Sequence, residues 1–77
     1  MKEAVERVVT TLVGEPDAVN VSEISDGKHV RLEVRVADHD MGRIIGREGR
    51  TVKAIRSVLF VAGQKHGKRF SLDLVED

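Results

Sequence analysis

Apolar residues first recur at Val5, Val8, Val9 and Leu12, the three-and-four spacing of an amphipathic helix over Lys2 to Val13. Glu3 and Arg7 add a favourable pair four residues apart. Gly14 fits the position just past that helix, and Pro16 cannot continue it. Val19, Val21 and Ile24 predict a short strand, in which the step from 21 to 24 breaks alternation and marks a candidate bulge. Asp26-Gly27 is a hairpin dipeptide, because a type I′ turn needs positive φ at both central residues and this pair supplies it at low steric cost. In HVRLEVRVA, Val30, Leu32, Val34 and Val36 alternate with Arg31, Glu33 and Arg35, the pattern of a half-buried strand. Asp38 or Asp40 caps a helix that starts near Met41 and carries only Met41, Ile44 and Ile45 as apolar residues before Gly46. Past Gly49 the helical period resumes at Val52, Ile55, Val58, Leu59 and Ala62 and ends near His66-Gly67. Phe70, Leu72 and Leu74 then alternate with Ser71 and Asp73 as a last strand.

The order is α-β-β-α-α-β, an α+β arrangement. Its hairpin pairs the first two strands antiparallel. The two-helix crossover of about thirty residues permits the second and third to run parallel with the right-handed sense such connections take. A three-stranded mixed sheet with three helices on one face is expected. At 77 residues the chain reads as one domain over 1–77 with nothing appended. A chain of this size buries only about 60% of its unfolded surface. With 40% hydrophobic residues, one compact core is feasible. There is no cysteine, so no disulfide or thiolate zinc site supports the fold. Neither a signal peptide nor a run of roughly 20 apolar residues is present, which points to a cytoplasmic protein without a membrane partner.

Net charge changes the picture once it is divided along the chain. Residues 1–40 hold five Lys/Arg against nine Asp/Glu, residues 41–69 hold eight against Glu48 alone, and the last eight carry three acids and no base. The middle block therefore stands at +7 in a chain whose sum is zero, as a polyanion-binding face would.

That block contains Ile44-Ile45-Gly46-Arg47-Glu48-Gly49-Arg50-Thr51-Val52. Gly42, Gly46 and Gly49 give G-x-x-x-G-x-x-G after a helix, which fits neither the P-loop nor the G-x-G-x-x-G dinucleotide fingerprint. A helix, a tight G-x-x-G loop and a second helix instead form a clamp for a sugar-phosphate chain. Glycine permits a sharp turn and close approach, and the next helix offers free N–H groups and the positive end of its dipole. Arg47 in the loop and Arg50, Lys53 and Arg56 after it line a path for successive phosphates.

The nine-residue stretch, set between two helices in this element order, resembles the signature of KH domains of the type II, bacterial form. Over its full length the chain is similar to the small single-KH proteins of the KhpA family. The resemblance implies single-stranded RNA binding in bacterial post-transcriptional regulation. It also implies assembly as a homodimer or as a heterodimer with a KH protein of the Jag (KhpB) type. Such domains grip about four nucleotides, the loop clamping the backbone while bases lie on an apolar groove. With Phe60 and Phe70 as the only aromatic residues, a stacking platform of the RRM kind is missing and base contact is largely aliphatic. Carried over by position, Gly46, Arg47, Glu48 and Gly49 form the clamp, Ile44 and Ile45 take core and groove positions, and Arg43, Arg50 and Lys53 neighbour the phosphates.

Glu48 is repelled by phosphate, so it either pairs with Arg47 or Arg50 or moderates nonspecific affinity. Val52, Ile55, Val58, Leu59 and Ala62 share a face of about 120° on the long helix. Phe60 falls between Lys53 and Arg56, where it touches a base or lies exposed, and Val61 lies near Ala54, where it could meet a partner protein. A domain that keeps the fold but binds protein through this helix is the competing reading, and single-stranded DNA is an alternative ligand. His29, His39 and His66 share no ligand spacing, so no metal or other cofactor is expected. Nor is a nucleophile placed beside a base, which leaves no enzyme reaction or small-molecule substrate in view.

Overall fold

A computed structural model describes residues 1–75; Glu76 and Asp77, part of the acidic end and of the expected domain span, lie outside the described residues. Three α-helices and three strands follow the predicted order: α1 (Lys2–Leu12), β1 (Asn20–Asp26), β2 (His29–Arg35), α2 (Met41–Ile45), α3 (Arg50–His66) and β3 (Arg69–Leu74). Single 3₁₀ turns cover Pro16–Ala18, Asp38–Asp40 and Arg47–Gly49. The sheet runs β1-β2-β3, with β1 antiparallel and β3 parallel to the central β2.

Strict alternation in β2 decides which face is covered. Val30, Leu32 and Val34 are buried, and Arg31 and Arg35 between them are exposed. Val5 and Val9 of α1, Ile44 of α2, and Val52 and Leu59 of α3 enter the same core as Val21, Leu32, Val34 and Leu72. All three helices therefore lie on one face of the sheet. The opposite face is polar, with Arg31 3.7 Å from both Glu33 and Asp73.

Four local expectations are corrected. The pairing of β1 with β2 is continuous from Asn20↔Arg35 to Asp26↔His29, so there is no bulge; Val21 and Ile24 simply point to opposite faces, and Ile24 is exposed. Because Asp26 pairs with His29, the turn residues are Gly27 and Lys28. Only Gly27 has positive φ, at 61°, the type II′ pattern and not I′. Gly14 does not end α1 through a left-handed conformation, since Val13 is extended and the positive-φ glycines are 27, 46, 49 and 67. On α3 the core residues are Val52, Leu59 and Gly63, while Val58 is 67% exposed. Hydrophobic periodicity registers Val58 and passes over Gly63, yet a Cβ at Gly63 would run into the Lys68 carbonyl oxygen and stand 3.4 Å from Phe70 Cδ2. This close approach turns α3 toward β3. The helix ends as predicted at His66-Gly67, with Gly67 left-handed.

Candidate nucleic-acid interface

The loop between α2 and α3 has a conformation that side chains resist. Gly46 adopts φ 76°, ψ 174°, and its N–H donates to the Gly42 carbonyl at 2.8 Å. Gly49 follows at φ 74°, ψ 15°, its N–H reaching the Gly46 carbonyl at 3.2 Å. Between them Glu48 is left-handed at φ 57°, and it is the one non-glycine residue with positive φ among those described. A residue with a Cβ is disfavoured there by about 1–2 kcal/mol. The two glycines serve differently. A Cβ on Gly46 would collide with the Thr51 hydroxyl and stand 2.7 Å from Thr51 Cβ, whereas one on Gly49 would find Lys53 Cε at 3.8 Å and nothing closer.

The nine sequence-predicted site residues do not share one environment. Arg47, Glu48, Arg50 and Lys53 are exposed on and just after the loop, and Ile45, 37% exposed, precedes it. Ile44 is fully buried in the core. Arg50 lies 3.6 Å from Glu48, so of the two pairings open to the glutamate the structure has the second. Arg43 is exposed but paired, its Nε 3.7 Å from Asp40 Oδ1. Among the described residues, Arg47 and Lys53 have no ion-pair partner. Helix α3 begins without a side-chain cap and without an acid in its first turn, so no side chain of the helix start offsets the positive end of its dipole, and Arg50 stands exposed beside it. Arg56 does not extend that cationic path freely, because its Nη2 donates to the Leu72 carbonyl at 3.2 Å and ties α3 to β3.

Asp40 is the residue that sequence reasoning misplaced. It stands at the start of α2 but makes no capping hydrogen bond. Its carboxylate is instead fully buried and accepts the N–H groups of Gly14 at 3.0 Å and Glu15 at 3.1 Å. The Gly14 amide is the main reason that its pKa lies below the ordinary carboxylate value. Burial opposes this, and the Glu15 amide, His39 and Arg43 assist. A Cβ at Gly14 would stand 3.2 Å from Arg43 Nη1 and 3.5 Å from Asp40 Oδ1, so this corner is closely packed. No periodicity links positions 14 and 40; an aspartate beside the basic residue three places on was the only visible sign.

Two surface depressions flank the loop helix. An open groove of about 430 Å³ between α3 and β3 is lined by Arg56, Phe60, Gln64 and Lys68 on one side and by Phe70 to Asp73 on the other. A smaller apolar seam of about 200 Å³ lies between α1 and α3, lined by Val8, Ala54 and Val58 among others. No helix among the described residues is long and apolar enough to cross a membrane, and no cluster of three metal-binding side chains occurs among them.

A chain of order α-β-β-α-α-β, with a mixed three-stranded sheet and a G-x-x-G loop joining its last two helices, has the type II KH fold. The family described as KhpA/KhpB, KH domain, matches residues 2–74, and the chain belongs to that family. It is 45% identical over 76 residues to a protein of Halalkalibacterium halodurans named RNA-binding protein KhpA, covering 99% of this chain and all of that one. Proteins of the same name from Clostridium acetobutylicum and Aquifex aeolicus are 41% and 40% identical over 75 and 76 residues. These alignments cover 97% and 99% of this chain and 100% and 96% of theirs.

Proposed function

We propose that this protein binds single-stranded RNA without catalysis, holding the sugar-phosphate backbone at Gly46–Gly49 with about four nucleotides in reach. The observation that carries this reading is the loop itself. Gly46, Glu48 and Gly49 all have positive φ, the turn opens onto the uncapped start of a 17-residue helix, and Arg47 and Arg50 stand exposed beside it. A non-glycine residue, Glu48, held left-handed in an exposed loop is the kind of backbone outlier that clusters at ligand clamps. The relatives' shared name supports RNA as the ligand. Ile45 offers the first aliphatic surface for a base, Arg47, Arg50 and Lys53 neutralise phosphates, and Arg43 contributes from behind the Asp40 pair.

Arg47→Asp tests the clamp without disturbing either glycine. Binding of a short single-stranded RNA should be lost at moderate salt, and the thermal transition should stay where it was; retained affinity rejects the clamp. Competition by DNA of the same sequence measures whether the 2′-hydroxyl is read. This binding would operate in the bacterial cytoplasm, in post-transcriptional control, with the chain paired to itself or to a KhpB-type partner. Val58 and Val61, both more than half exposed on the outer side of α3, favour the paired state.

A further inference from the structure

Both phenylalanines of the chain line the groove between α3 and β3. Phe70 is half-buried there, but Phe60 is 64% exposed, a large apolar ring left open to water. Its position on α3 is not arbitrary. At 100° per residue Lys53, Arg56, Phe60 and Gln64 fall within about 80° of one another, a single row that starts beside Gly49 and runs into the groove. Phe60 stands eleven residues past Gly49, about 16 Å along the helix axis. Four nucleotides at a stacked rise of about 3.4 Å cover about 14 Å, and an extended strand covers more. A strand held at the loop and following this row would therefore bring its far base to Phe60.

The charges along the groove suit that occupant. Arg56 is fixed in place by its bond to the Leu72 carbonyl, and Lys68 and Arg69 stand at the far end of the groove. The one acid on the lining, Asp73, is engaged by Arg31 at 3.7 Å. Gln64, next on the row, carries an amide able both to donate to and to accept from a base edge.

Building on the proposed RNA reading, we infer that Phe60 is a stacking platform for one base of the bound strand, giving the aliphatic groove a single aromatic step. Phe60→Leu keeps an apolar side chain and removes the ring face. It should weaken binding of an eight-nucleotide single-stranded RNA about tenfold, within the range that base–aromatic stacking supports. The chain contains no tryptophan or tyrosine, so Phe60→Trp places a sole indole at this point. Its fluorescence should be quenched on adding the same RNA, and a two-nucleotide RNA, too short to span loop and ring, should quench it less. If Phe60→Leu binds like the parent and Phe60→Trp is not quenched while Arg47→Asp abolishes binding, the stacking role is overturned and the clamp stands. If the parent itself binds no RNA, both fall. A Phe60→Leu protein that changes only its oligomeric state assigns the ring to a protein contact and likewise overturns the inference.

Discussion

Gly46 and Gly49 look equivalent in the motif and are not equivalent in the fold. At φ 76°, ψ 174°, Gly46 occupies a region that only glycine enters without strain, and its missing side chain is space that Thr51 uses. Gly46→Ala should cost about 2–6 kcal/mol, adding backbone strain of about 1–3 to an overlap of similar size. A chain of this length has about 4–12 kcal/mol in all, so that variant approaches unfolding. Gly49→Ala meets no neighbour and should cost about 1–2 kcal/mol through its left-handed φ alone. Urea midpoints for the two variants check the difference. The same contrast makes paired replacement of both glycines a poor probe of binding, because lost affinity could simply report a lost fold. Asp40 sets a different limit. Its folded pKa is depressed, so its contribution is present above the unfolded value of about 3.9 and is lost as pH falls through the folded one. Asp40→Asn should therefore be less stable than the parent at pH 7, and the gap should narrow in urea titrations carried below pH 4. A constant gap down to acid would mean that the carboxylate's charge is not what the Gly14 and Glu15 amides need.

At the scale of elements, α3 shows what hydrophobic pattern can and cannot convey. Alanine at an exposed helix interior normally gains about 1 kcal/mol over glycine. Gly63→Ala should instead destabilise by about 1–3 kcal/mol, because the added methyl meets the Lys68 carbonyl where α3 folds back onto β3. A thermal transition raised by the substitution would contradict that packing. Element order, the parallel β2–β3 pairing and the G-x-x-G loop were legible because each rests on local signals: period, turn residues and crossover length. The misread features depend on tertiary partners. Gly63 lines the core through an absent side chain, Val58 stays exposed while Gly63 takes the buried position, and Asp40 serves amides 25 and 26 residues earlier in the chain. Of the candidate site, the loop and the exposed Arg47, Arg50 and Lys53 could be read from spacing. The tethering of Arg43 by Asp40 and of Arg56 by Leu72 could not, because neither the buried carboxylate nor the strand carbonyl has a sequence mark.

For the whole molecule, a single clamp of the proposed kind on four nucleotides would be a weak grip, and a second copy would change affinity only if one RNA reached both sites. Joining two sites by a suitable span raises avidity about 10² to 10⁴ without any new contact. The outer side of α3 is available for such pairing. Val58 and Val61 are exposed there, beside the apolar seam with α1, and neither belongs to the core cluster. Val61→Glu should leave the fold intact and, if this surface joins two copies, shift sedimentation from dimer to monomer. Its effect on RNA then depends on ligand length. A four-nucleotide RNA fills one clamp and should bind the variant and the parent alike, whereas a long RNA should bind the variant at least about tenfold more weakly. Equal loss for both lengths would place Val61 at the RNA surface and not between protomers. Loss for neither, with unchanged sedimentation, would leave the clamp acting alone.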